Sequence, residues 1–208
     1  MWTRPDAEVL EPSRTALVVF DLLECYRSTI EGSEALARAQ QLIGTARAAG
    51  ILVCFARAAH REDGADYTRV VADLDPDFRP WTDGDPQPVA PGPARDYRSL
   101  AELGQRPEDI DVPKHRWSAF HGTALDLTLR VQGIDTVIIC GGSTHVGVAS
   151  TVYAGRDLDY QMIVARDACT GHAEPAAYFC DTIFPRMVRV RTVAQISAMT
   201  DPNRRTTA

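Results

Sequence analysis

No apolar run in these 208 residues approaches the length of a membrane span, and the opening stretch MWTRPDAEVLEPSR has no signal-peptide core. No basic cluster interrupts a net charge of −6, which argues against a nucleic-acid partner. The five cysteines (Cys25, Cys54, Cys140, Cys169 and Cys180) are an odd number, scattered, with no CxxC pair. They read as buried, reduced thiols, which fits the expectation of a cytoplasmic protein. No G-x-G-x-x-G occurs. Gly142 to Gly147 spell G-x-x-x-x-G, yet Val148 and Ala149 stand where a phosphate loop requires Lys and Ser or Thr. Nucleotide binding is therefore not expected. Internal repeats are also missing.

What is present is the composition of an ordinary globular chain, 45% hydrophobic and 24% charged. Its length suits one domain with a full core. Five apolar runs read as buried strands: TALVVF (15–20), ILVCF (51–55), TVIIC (136–140), QMIVA (161–165) and MVRVRT (187–192). IDVPK (110–114) is a shorter sixth. Most are apolar on both faces, as parallel strands covered on each side must be, while the alternating last run suits a sheet edge. Helical patterns fill the gaps: from a Ser33 cap to Gly50, over 122–132 before Gly133, from about Val146 to Leu158, and over 173–183 before Pro185. The expected fold is α/β, a single doubly wound domain of about six mostly parallel strands with helices on both faces. Its core is expected to span about 14–196, with a tail, 200–208, expected to fray. Segment 76–98, with six prolines, is expected to be an irregular loop: a lid or an interface arm ahead of a disordered insertion.

Ligands of such sheets bind beyond the carboxyl ends of the strands. That rule selects Asp21 after the first strand, Arg57 and His60 after the second, Lys114 after the short one, and residues 141–147 after TVIIC. Taken alone, Asp21 reads equally well as a capping or surface residue, and Lys114 as an exposed lysine. At one sheet edge they form an acid–base pair able to share a proton. Backbone N–H groups at the helix start that follows favour an oxyanion or a carboxylate, and Gly147 permits close approach. Ser143, Thr144 and His145 make a poor nucleophile and base, since neighbours in a tight turn point apart and no third orienting group is evident. His60 has no further ligands at metal spacing, so no metal and no cofactor are expected.

The stretches KHRWSAFHGTALDL and TVIICGGSTHVGVASTVYAGRDLDYQMIVARDA resemble the isochorismatase-like hydrolases, a family that includes nicotinamidases and several amidohydrolases, and the resemblance extends over roughly 14–196. In most of that family a cysteine in the turn is the nucleophile, assisted by an Asp and a Lys. Asp21 and Lys114 match those partners, while Gly147 falls on the cysteine. The resemblance further implies a cis peptide between Gly142 and Ser143 and an oxyanion hole from the amides of Ser143 and Gly147. Thr144-His145-Val146-Gly147 is similar to the cysteine-less branch of phenazine-type and siderophore-type isochorismatases, which hydrolyse an enolpyruvyl ether. The catalytic set implied is Asp21, Lys114 and Gly147, with substrate contacts from Ser143, His145, Trp117, Arg57, His60 and Phe120. Homo-oligomers, dimers or higher, are implied as well, with Trp81 of the proline-rich arm a candidate contact.

A vinyl ether needs no attacking side chain, because protonation of its terminal carbon creates a centre that water can attack. Asp21 is the expected acid and Lys114 or Arg57 the expected holder of a substrate carboxylate. The missing thiol is expected to leave room for a ring. Three departures separate this chain from known isochorismatases: Leu23 stands for a family glutamine, and Trp117 and Ser143 stand for tyrosines. The D-x-H pattern of zinc-dependent nicotinamidases is absent. Two competing expectations are an amidohydrolase with a nucleophile relocated to Cys140 or Cys25, and a non-catalytic binding or scaffold protein.

Overall fold

The computed structural model describes residues 8–68, 70, 73 and 96–201. Six strands, β1 (Thr15–Phe20), β2 (Leu52–Ala58), β3 (Ile110–Lys114), β4 (Thr136–Gly141), β5 (Gln161–Cys169) and β6 (Arg189–Arg191), form one sheet. Their order is β3-β2-β1-β4-β5-β6, and every pairing is parallel. Around them lie α1 (Arg27–Ile30), α2 (Glu34–Ala49), α3 (Leu125–Val131), α4 (Ala149–Asp157), α5 (Ala173–Tyr178) and α6 (Val193–Met199).

The two-residue period of a strand divides the core into two halves. Leu17 and Val19 of β1 point into one cluster, built with Leu36, Leu42 and Ile43 of α2 and Ile196 of α6. Ala16, Val18 and Phe20 point into the other, with Leu125 and Leu129 of α3 and Val152 of α4. All six residues of β1 are buried, which is why its sequence is continuously apolar from Ala16 to Phe20. The doubly wound α/β arrangement expected from the sequence is the one observed.

Boundaries follow local chemistry. Ser33 caps α2, its hydroxyl accepting from the Leu36 amide at 3.2 Å, and Gly50 ends the helix at φ +75°. Between β4 and α4 the chain makes a π-helical turn, Thr144–Val148, so the regular helix starts at Ala149, later than expected. The 173–183 helix is likewise α5 followed by a π-helical turn, Phe179–Ile183. β5 runs four residues beyond the expected Ala165, with a register irregularity against β4, and β6 is shorter than its alternating run. No helix was expected over α6, although Thr192 and Gln195 form a full capping box at its start. The proline-rich segment lies outside the described residues except for 96–98. There the Glu24 and Cys25 amides donate to Arg98 and Asp96 carbonyls at 2.9 and 3.0 Å, and Leu23 bridges Ser99 antiparallel.

Candidate active site

The strand order reverses between β1 and β4, so the chain leaves those two strands in opposite directions, and it is beyond the carboxyl ends of strands at such a switch point that ligands of these sheets bind. Asp21 is the first residue past β1. Its backbone has φ +45°, an unusual conformation for a non-glycine residue, and its amide donates to the Ala56 carbonyl at 2.9 Å. The carboxylate thereby turns toward the end of β2, where Oδ1 accepts from the Ala58 amide at 2.9 Å. Lys114 ends β3 in register with Ala58 and reaches across β2's end to place Nζ 2.6 Å from Asp21 Oδ2. Both side chains are withdrawn from water, 5% exposed for Lys114 and 13% for Asp21. Burial raises the Asp21 carboxyl above the ordinary carboxylate range, while the charge and hydrogen bond of Lys114 and the Ala58 amide pull the other way. Lys114 is the only lysine among the 22 Lys and Arg residues, a signal that composition alone offered.

The other half of the candidate site is the turn after β4. The peptide between Gly142 and Ser143 is cis. Ser143's carbonyl accepts from the amides of Val146 and Val148, both at 3.2 Å, and Thr144 is tied to the Thr170 carbonyl by its amide at 2.8 Å and its hydroxyl at 2.6 Å. The Thr151 hydroxyl donates to the Gly147 carbonyl at 2.8 Å and itself accepts from the Ala119 amide at 3.0 Å. The volume beside Gly147 is not open to a ring. A Cβ there would come within 2.3 Å of Phe20 Cε1, so the Phe20 side chain already fills the place expected to be free.

The remaining expected residues divide. Ser143 Oγ and His145 Nδ1 lie 3.4 Å apart in the turn, with the His145 ring 5.8 Å from that of His172. Trp117 is half exposed past β3. Arg57 does not join the pair: strand alternation puts it opposite Lys114 in facing direction, and a two-pronged ion pair with Asp111 at 2.8 and 2.7 Å occupies it. Phe120 is a core residue rather than a site wall, stacked on Tyr160 at 5.4 Å in the cluster around α3 and α4. The apolar surroundings that attract it were not visible from its own motif.

His60 gains neighbours that its own segment lacks. One ring nitrogen each from His60 and His115 and a carboxylate oxygen of Asp66 lie within 4.8 Å of one another. Asp66 and His115 are joined directly by a hydrogen bond at 2.8 Å. The cluster is thus a hydrogen-bonded Asp66–His115 pair with the His60 ring beside it, and burial holds the His60 pKa below its ordinary value. Cys54 and Cys140 are fully buried, and their thiols are pushed up to about 12 by burial. Cys140 packs in the α2 side of the core, which removes it as a relocated nucleophile.

The parallel sheet, the buried Asp–Lys pair and the glycine-rich turn at the switch point are the features on which the sequence resembles the isochorismatase-like hydrolases. The model of the isochorismatase domain matches residues 15–195, and the chain belongs to that family. It is 35% identical over 192 residues to the uncharacterized isochorismatase family protein YecD of Escherichia coli O157:H7, covering 90% of this chain and 96% of the relative. Ureidoacrylate amidohydrolase RutB of Stutzerimonas stutzeri is 32% identical over 209 residues, with 87% and 82% covered. Among solved structures, an isochorismatase family protein of Burkholderia thailandensis superposes with a TM-score of 0.78 at 29% identity, covering 93% of this chain and 98% of that one. N-carbamoylsarcosine amidase of Thermoplasma acidophilum gives 0.63 at 25%, with 86% and 96% covered. The chain is a hydrolase of the isochorismatase family, and among its relatives are amidohydrolases.

Proposed function

We propose that this hydrolase cleaves a small carboxylated enol ether, isochorismate or an amino analogue, with water as the nucleophile. The observation that carries the reading is a buried Asp21–Lys114 pair, 2.6 Å apart, in a chain with Gly147 where the family resemblance puts a cysteine nucleophile. Asp21 delivers a proton to the terminal vinyl carbon. The electron pair of the double bond forms the new C–H bond and leaves an oxocarbenium centre. Water adds there and loses a proton, and the resulting hemiketal breaks its bond to the leaving oxygen, giving pyruvate and a free hydroxyl compound. A positioned general acid is worth about 10² to 10⁴ in rate. Lys114 holds the substrate carboxylate or the water, Ser143 and His145 flank it from the turn, and the amides of Ser143 and Gly147 are donors suited to a substrate carboxylate.

The half-exposed Trp117 suits the rim of the site. A cytoplasmic location accords with five cysteines that form no disulfide, and no helix among the described residues is long and apolar enough to cross a membrane. Self-association accords with exposed Leu127 and Val131, one turn apart on α3.

The test is enol-ether hydrolysis by the wild type, by Asp21→Asn and by iodoacetamide-treated enzyme. The expected result is a loss on the order of 100-fold or more in Asp21→Asn, as for removal of a general acid, and no loss on alkylation. Inactivation by iodoacetamide that substrate prevents would point instead to amide hydrolysis by a thiol. Tight binding of the same ligands without turnover would make the protein a binding module.

A further inference from the structure

The side chain that fills the space beside Gly147 also touches the other half of the site. A Cβ on residue 147 would stand 2.3 Å from Cε1, 2.6 Å from Cζ and 3.4 Å from Cδ1 of Phe20. The first two are far inside van der Waals contact, so a side chain at 147 requires the ring to leave. Phe20 is 1% exposed and packed into the cluster that contains Val148, Val152 and Ala119, where a displaced ring has no cheap alternative position. The same ring lies under the Lys114 ammonium, with Nζ 4.3 Å from its centroid. Such a contact between a cation and an aromatic face gains strength when both partners are withdrawn from water. Phe20 is also the residue immediately before Asp21, so β1 delivers ring and carboxylate to Lys114 together.

We propose that Phe20 is a positioning residue of this site: its ring occupies the room that a side chain at 147 would need and supports Lys114 from below. Residues 20 and 147 are then a reciprocal size pair. A large residue at 20 requires glycine at 147, and the turn presents no nucleophile while Phe20 is in place. The functional meaning rests on the Asp21–Lys114 pair being the working groups. The test reads position and room instead of turnover, so failure of one is distinguishable from failure of the other.

Because Lys114 is the only lysine, protein grown with ¹³C-labelled lysine shows a single set of lysine side-chain signals. The ε-methylene protons are expected upfield of free lysine, shifted by the ring beneath them, and are expected to return to the ordinary position in Phe20→Leu. Alongside this, Gly147→Ala and Gly147→Cys are expected to lower the thermal midpoint by roughly 3–10 °C, as overpacked cores of this size do. Phe20→Val/Gly147→Cys is expected to recover part of that loss and to carry one more alkylated thiol than the wild type, mapped to residue 147. Unshifted Lys114 signals in the wild type, or no change in Phe20→Leu, would overturn the support of Lys114. A Gly147→Ala protein as stable as the wild type would overturn the size pair. That variant adds only the Cβ, so the outcome does not depend on the double variant folding.

Discussion

Asp21 sits between two opposing influences, and the direction in which it titrates follows from which prevails. Burial raises its carboxyl against the pull of Lys114. The folded protein therefore holds this proton more tightly than the unfolded chain. The corresponding stability is fully present below the unfolded value, about 4, and is lost as the pH rises through the folded value. Activity that needs the protonated acid follows the same limb. A kcat/KM profile is expected to be highest on the acid side and to fall with rising pH through a midpoint above the ordinary carboxylate range. A flat profile there would remove Asp21 as the acid. Lys114 gives the complementary prediction. Lys114→Ala leaves a buried carboxylate without its cation and is expected to cost about 3–5 kcal/mol in urea unfolding at neutral pH. The deficit should shrink as the pH is lowered, because a protonated Asp21 needs no partner. Both residues were legible in the sequence as polar groups closing apolar strands. That Arg57 would be spent on Asp111, and Phe120 on Tyr160, was not, since those partners come from other segments.

The elements that carry the site are set by backbone fit as much as by side-chain chemistry. Gly142 lies against β5's exit: a Cβ there would stand 1.8 Å from Thr170 Oγ1 and 3.1 Å from its Cβ. Gly142→Ala is expected to cost about 1–3 kcal/mol in urea unfolding and to disturb the turn that holds Ser143 and Gly147. Adding Thr170→Ala should recover part of the stability, a coupling that a double-mutant cycle measures. The glycine pair was readable in TVIICGG as a tight turn after a strand. The π-helical turn at Thr144–Val148 was not, because periodicity does not separate it from the first turn of α4. The length of β5 escaped for a related reason, as Arg166 and Asp167 interrupt an apolar run while its backbone continues to pair.

At the scale of the molecule, the pairing of neighbouring strands is what makes separate segments into one site. Residues 21, 114 and 147 are distant in sequence; neighbouring strands β1, β2 and β3 bring the first two together, and Phe20 beside Asp21 stands against Gly147. The two core clusters on either side of the sheet hold those strand ends rigidly, so the pair at 2.6 Å is a property of the whole sheet. The outer surface yields a prediction of its own. Leu127 and Val131 expose 68% and 76% of their surface on α3. If they lie in a self-association face, sedimentation of the wild type should exceed that of a single chain. Leu127→Asp/Val131→Asp should then return it to the monomer without loss of the thermal transition. Wild-type sedimentation at the mass of one chain, 22.8 kDa, would dispose of the oligomer.

The sequence by itself determined the α/β class, the six strands, the Ser33 cap and the candidacy of Asp21, Lys114 and the glycine turn. Each of these is written in local pattern: apolar runs, caps, and polar residues at strand ends. Only the tertiary structure decided that a phenylalanine ring stands where a side chain on residue 147 would begin and that His60 joins Asp66 and His115. It likewise decided that Cys140 is sealed in the core. Those outcomes depend on which atoms share a volume, and shared volume is fixed by packing between segments that no local pattern connects.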